Sequence, residues 1–201
     1  MTSTALAGLL AGLGLIVAIG SQNAFVLRQG LARQQVGPVV AVCALSDAVL
    51  IAAGVAGIGT LVEQAPGVLV VVRWAGALFL ATYAALSLRR AARGGETLEA
   101  AAQGVTRLVP AVLTTLALTW LNPHVYLDTV LLLGSLASGY GADGRWAFAA
   151  GAALGSVIWF VGLGYGARLA SGLFARPGAW RVLDLLIGIV MLALAVSLAL
   201  G

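Results

Sequence analysis

Thr119-Trp120-Leu121-Asn122-Pro123-His124-Val125-Tyr126-Leu127-Asp128-Thr129 lies inside a long apolar stretch, and its reading decides the fold. Proline within a helix removes a backbone donor and clashes with the preceding turn, so the helix ends or kinks there. The apolar residues on either side are numerous enough to cross a bilayer. Irregular backbone at that depth survives only where it is buried in protein or lines a cavity. A second polar interruption, Gly20-Ser21-Gln22-Asn23, falls in the first apolar stretch. Paired breaks, one in each half of a chain, point to the central binding site of a secondary transporter.

Composition agrees. The chain has 201 residues, 61% of them apolar and 9% charged, and its mean hydropathy is +1.05. Such a chain reads as one polytopic, all-α integral membrane domain over residues 1–201, with the lipid bilayer as its surroundings. The first 27 residues have no basic leader and run straight into further spans, so they read as a retained helix. All eleven basic residues are Arg, and the net charge is +4. In a soluble protein that balance would suggest nucleic acid. Here the arginines sit between spans, and no nucleic-acid partner is expected. Cys43 is alone in an apolar stretch, which excludes internal disulfides and cysteine metal clusters. No metal or cofactor is expected.

Six spans are expected, near 4–27, 38–61, 67–89, 109–134, 146–170 and 180–200. Pro38, Pro66, Pro110 and Pro177 fall at or just before span starts, where a missing N–H has no partner to lose. Only Pro123 is internal. Nine arginines (Arg28, Arg33, Arg89, Arg90, Arg93, Arg107, Arg168, Arg176 and Arg181) fall on loops one, three and five, against Arg73 and Arg145 on the other face. The positive-inside rule then places those loops in the cytoplasm and both termini outside. A polar linker at about 90–107 separates a first repeat, about 1–89, from a second, about 108–201. Three spans followed by three more give halves of opposite orientation, an inverted-repeat plan with spans one and four broken. In that scheme Asn23 answers to Asn122, Ala44-Leu45-Ser46-Asp47 to Ala153-Leu154-Gly155-Ser156, and Gly57 to Gly166. Glycines at four-residue spacing (Gly8 and Gly12, Gly151 and Gly155, Gly162 and Gly166) predict close helix packing within the chain, with a homo-oligomer left open.

A carboxylate at bilayer depth is expensive and so is a functional candidate by default. Asp47 falls near the middle of span two, and Asp128 six residues after Asn122. No buried base is evident to neutralise either. They would attract a cationic substrate or carry a coupling proton. Asn23, Gln22 and Asn122 can bind the head of a zwitterion or hold the breaks open, and the sequence does not separate these roles. Tyr126 offers a hydroxyl or an aromatic face to a cation. His124 reads as a local hydrogen-bonding residue, Asp184 as an interfacial partner of Arg181, and the five tryptophans mostly as interfacial anchors. Glu63, Glu96, Glu99 and Asp143 fall in loops or at span ends. Helix-break residues are Gly20, Ser21 and Pro123. A Ser21–His124 hydrolase is disfavoured, since no nucleophile elbow or phosphate loop accompanies it. A channel is disfavoured for want of a filter-like segment.

With these motifs, Gly20-Ser21-Gln22-Asn23-Ala24-Phe25-Val26-Leu27-Arg28-Gln29-Gly30 and the stretch from Thr119 to Thr129, the chain resembles the LysE/ArgO family of basic amino-acid exporters. Cys43-Ala44-Leu45-Ser46-Asp47, Gly144-Arg145-Trp146 and Ser156-Val157-Ile158-Trp159-Phe160 extend the likeness over almost the whole chain. The resemblance implies a multi-pass protein of the bacterial inner membrane. It also implies gradient-driven export of L-arginine, L-lysine or analogues such as canavanine, and a role in transport for Asp47 and Asp128. Export of neutral amino acids or another small metabolite is the alternative. The family's Pro-x-Gly-Pro-Gln-Asn pattern is altered here, with Ala18 and Ser21 at the proline positions, which predicts a milder first break.

Overall fold

The computed structural model describes residues 1–17, 20–57, 66–93, 107–169 and 177–200. Among the described residues every regular element is helical. In chain order these are α1 (Thr2–Ile16), α2 (Ser21–Ala32), α3 (Val36–Val55), α4 (Pro66–Arg93), α5 (Leu108–Trp120), α6 (Pro123–Ser138), α7 (Gly141–Gly166) and α8 (Pro177–Leu200). Four of them, α3, α4, α7 and α8, are long and apolar enough to cross a membrane. The pairs α1 with α2 and α5 with α6 pass that test only jointly, bent by 84° and 62°. Counting each bent pair as one span gives six, as the sequence predicts.

The prolines explain the starts. Pro66 and Pro177 open α4 and α8, and Pro38 and Pro110 lie in the first turns of α3 and α5. Those first-turn N–H groups have no intrahelical acceptor, so proline removes nothing there. Boundaries move by several residues. The first span continues to Ala32, and α4 runs to Arg93, so the first four residues of the expected linker are helical. The rest of that linker, with Glu96 and Glu99, lies outside the described residues, as do Ala18, Glu63 and Arg176. The expectation of a milder first break falls partly on Ala18, outside the described residues; the helices on either side are bent by 84°, more than the 62° at the second break. Proline is not needed there, because Gly20 adopts an extended conformation immediately before α2.

In lipid, helices associate through close packing more than through hydrophobic burial. The chain uses glycine for this. Gly8 and Gly12 of α1 face Phe148 and Ala152 of α7, while Gly151 and Gly155 face Ala5 and Leu9 in return. A side chain at Gly8 or Gly151 would run into the opposing backbone. Two of the three predicted glycine pairs therefore serve one intramolecular contact. Gly162 and Gly166 do not, since nothing lies near either. Elsewhere α4 pairs with α8, and α3 packs against α5, α6 and α7. One apolar cluster, built on Phe25, Val39, Leu80, Phe160, Trp180 and Met191, joins α2, α3, α4, α7 and α8. A second, with Ile51, Leu133, Phe148 and Ala152, joins α3, α6 and α7. Large apolar side chains such as Val71, Leu78, Leu154 and Leu186 remain exposed, the face a bilayer would cover.

Candidate functional site

The second break is assembled by its own residues. Helix α5 ends at Trp120, and Asn122 stands in extended conformation as the N-cap of α6. Its Oδ1 accepts the His124 N–H at 3.1 Å, and Pro123 takes the first helical position, where its fixed φ suits the start. The Tyr126 hydroxyl donates to the Trp120 carbonyl at 2.8 Å, an acceptor left over at the end of α5. Directly after, Tyr126–Leu132 is wound as a π-helix. Such widened turns are rare and occur mostly at functional sites. This one carries Asp128.

The first break is held from a distance. Asn23 Nδ2 donates to the Ile16 carbonyl at 2.7 Å, across the break to the end of α1. Its Oδ1 accepts the Trp159 indole N–H of α7 at 3.1 Å. Both ends of the Asn23 amide are therefore engaged, tying the start of α2 to the end of α1 and to α7. Gly20, Ser21 and Gln22 form the start of α2 without a side-chain cap.

Asp47 lies at mid-length of α3 and is 3% exposed. Ser156 Oγ of α7 donates to its Oδ2 at 2.7 Å. The neighbouring Ser46 accepts the Trp120 indole N–H at 3.1 Å. Among the described residues no ion pair reaches Asp47 or Asp128. His124 lies one turn before Asp128.

These pieces converge on a cavity of about 150 Å³. Gly20, Ser21, Gln22, Asn23, Asp47, Asn122 and Asp128 all line it, with His124, Thr129 and apolar Leu15, Ile16, Phe160 and Leu194. Of the residues singled out from sequence, Pro123 and Tyr126 do not line it and instead build the break beside it. Ser21 and His124 both reach the cavity, yet the buried Ser21 hydroxyl has no hydrogen-bond partner among the described residues. The nucleophile–base contact that a hydrolase requires is therefore missing.

Two expectations need correction. Asp184 is buried and pairs with Arg28 of α2 and, at 3.2 Å, with Arg90 of α4, not with Arg181. Arg181 is exposed on the same helix. Its position near a span end hid the fact that α8 turns that face inward. Among the tryptophans, only Trp74 and Trp146 are exposed, each beneath the neighbouring Arg73 or Arg145. Trp120 and Trp159 hold the breaks, and Trp180 is buried under the Arg28 guanidinium. Sequence reasoning also missed Ser156 as the partner of Asp47. The alignment of the two halves contained the signal, because it set Ser156 opposite Asp47.

Comparison with known proteins gives the geometry its context. The chain is 40% identical to "Lysine exporter LysE" of Corynebacterium diphtheriae, over 98% of each sequence. It is 42% identical to "Arginine exporter protein ArgO" of Yersinia enterocolitica, over 99% of this chain and 97% of the relative. With the lysine exporter of Corynebacterium glutamicum it shares 34% identity over 96% and 97%. No solved structure matches. Residues 13–201, both breaks and both cavity carboxylates among them, match the profile described as "LysE type translocator", and the chain belongs to that family.

Proposed function

We propose that the protein exports basic amino acids, L-arginine or L-lysine and analogues such as canavanine, across the bacterial inner membrane. The observation that carries this reading is the cavity itself. Two carboxylates, Asp47 and Asp128, line a site between two broken spans, and among the described residues neither has an ion-pair partner. Asp47 is buried and Asp128 half-buried; a carboxylate at that depth without a counter-charge is costly, and a guanidinium or ammonium ligand would offset that cost. The names of the relatives support the same substrate class.

The cavity has room for a head group or a few waters, each taking about 30 Å³ of liquid volume. A whole basic amino acid requires it to widen, which fits alternating access, with one half rocking against the other. Two features support an inverted repeat. The breaks occupy corresponding places in the halves, and Asp47 bonds to Ser156, the residue aligned with it. Residues related by a two-fold axis touch when they lie near that axis. The arginine bias, nine against two, supports cytoplasmic loops one, three and five with both termini outside. Within this mechanism Asp47 and Asp128 hold the substrate's cationic end, or one of them a proton. Asn122 and Gln22 face the remaining groups, while Asn23 and Tyr126 keep the breaks in shape. Moving a +1 substrate outward opposes an inside-negative potential by about 2.3 kcal/mol per 100 mV. Export therefore requires coupling, most simply antiport of more than one proton, or a steep outward gradient.

Counterflow of radiolabelled arginine in proteoliposomes tests the reading. Arginine exchange blocked by lysine but not by leucine, and lost in both Asp47→Asn and Asp128→Asn, is the expected result. No exchange by a folded, reconstituted protein would overturn the substrate class and move attention to neutral amino acids. Conductance without counterflow would mark a channel.

A further inference from the structure

Both carboxylates on the cavity wall suit the cationic end of a substrate, which leaves its opposite end unassigned. Helix α2 begins at the cavity, and its first N–H groups have no intrahelical acceptor. A helix start of this kind carries partial positive charge and directs donors at an anion. On its own it would mark only a helix end. A second observation points to a ligand. Ser21 has no exposed surface, lines the cavity, and its Oγ has no hydrogen-bond partner among the described residues. Next to it, Gln22 also lines the cavity, with its side-chain amide within reach of the Cys43 thiol. Buried polar atoms are almost always paired, so the Ser21 hydroxyl calls for an explanation. Asn23, by contrast, has its side-chain amide committed on both sides. The unpaired Ser21 hydroxyl therefore belongs to whatever the cavity receives.

We propose that the start of α2, through the Ser21 hydroxyl and the backbone N–H groups that follow Gly20, is the subsite for the substrate's α-carboxylate. This rests on the export reading above and fixes the orientation of the ligand. The carboxylate lies at the first break, and the guanidinium or ammonium extends toward Asp47 and Asp128. Missing side-chain caps acquire a reason in this arrangement. A capping Asp at position 20 or 21 would occupy the donors and repel the anion, whereas Gly20 and Ser21 leave them free. The same break serves specificity: polyamines and other cations without a carboxylate would leave the donors unpaired.

The test is competition against radiolabelled L-arginine uptake by counterflow, using agmatine and L-argininamide, which keep the guanidinium and lack the carboxylate. Both should compete at least about tenfold more weakly than L-arginine in the wild type. Ser21→Ala should weaken L-arginine about tenfold and leave agmatine unchanged, closing the gap, while the variant keeps its elution profile in detergent. Agmatine competing as well as arginine in the wild type overturns the subsite without requiring any variant. Equal weakening of both ligands in Ser21→Ala also overturns it. If arginine is not exchanged at all but leucine is, the substrate class fails separately. Leucine against leucinamide then decides the subsite by the same criterion.

Discussion

Asp47 and Asp184 are both buried aspartates, 3% and 2% exposed, yet their surroundings assign them opposite work. Asp184 has two guanidinium partners, whereas Asp47 has one hydroxyl. A paired carboxylate holds the fold, and an unpaired one lining a cavity is available to a ligand. Asp47→Asn should therefore fold normally, because its side-chain oxygen still accepts from Ser156. Arginine counterflow should fall to background, while the melting temperature in detergent stays within a few degrees of wild type. A large fall in melting temperature would show that Asp47 is structural and would remove it from the transport site. Ser156→Ala leaves the carboxylate in place but strips its one hydrogen-bond donor among the described residues. A hydrogen bond to a charged group contributes about 1.5–3 kcal/mol, so affinity or coupling should change by about tenfold or more without complete loss.

At the scale of elements, the chain's glycines make a sharper prediction than its large apolar residues. Gly151 of α7 lies so close to Ala5 of α1 that a Cβ would meet backbone, whereas Gly162 of the same helix has nothing nearby. Gly151→Val should destabilise by about 1–3 kcal/mol or more, the range of an overpacked contact that must move apart. Gly162→Ala should be neutral or stabilising, since alanine is the better helix former by about 1 kcal/mol. Thermal unfolding of the two variants side by side checks the pair, and equal effects would contradict the close α1–α7 approach. Spacing alone did not distinguish these glycines, because the four-residue pattern is the same in both places. Much else was legible. Pro123 marked the second break because an internal proline has a direct steric consequence. Asp47 and Asp128 stood out because charge at bilayer depth is rare. The π-helical turn around Asp128 was not legible, since no residue pattern in Tyr126–Leu132 was read as marking a change of winding. Asn23 was ambiguous for a related reason: its partners, Ile16 and Trp159, are seven and 136 positions away.

For the whole molecule, the decisive question is what joins the α4–α8 pair to the helices that carry the cavity. Among the described residues, α2, α5 and α6 make the main contacts with that pair. The strongest polar tie is the cluster of Arg28, Asp184, Arg90 and Ser87, linking α2 to both α4 and α8. Trp180 and Tyr83 lie beneath the two guanidinium groups. Removing one member of a buried ion pair strands the other, at about 3–5 kcal/mol. Asp184→Asn should accordingly lower the melting temperature strongly, because Arg28 and Arg90 both lose the carboxylate they share. Arg181→Gln, on the exposed side of the same helix, should change stability by about 0.5 kcal/mol or less. The double variant Arg28→Gln with Asp184→Asn should recover part of the loss, since only the more exposed Arg90 then faces the missing carboxylate. Thermal unfolding in detergent of all three checks the assignment. If Arg181→Gln proves as damaging as Asp184→Asn, α8 is rotated relative to the arrangement described. The inner tie between α2 and the α4–α8 pair would then have to be sought elsewhere.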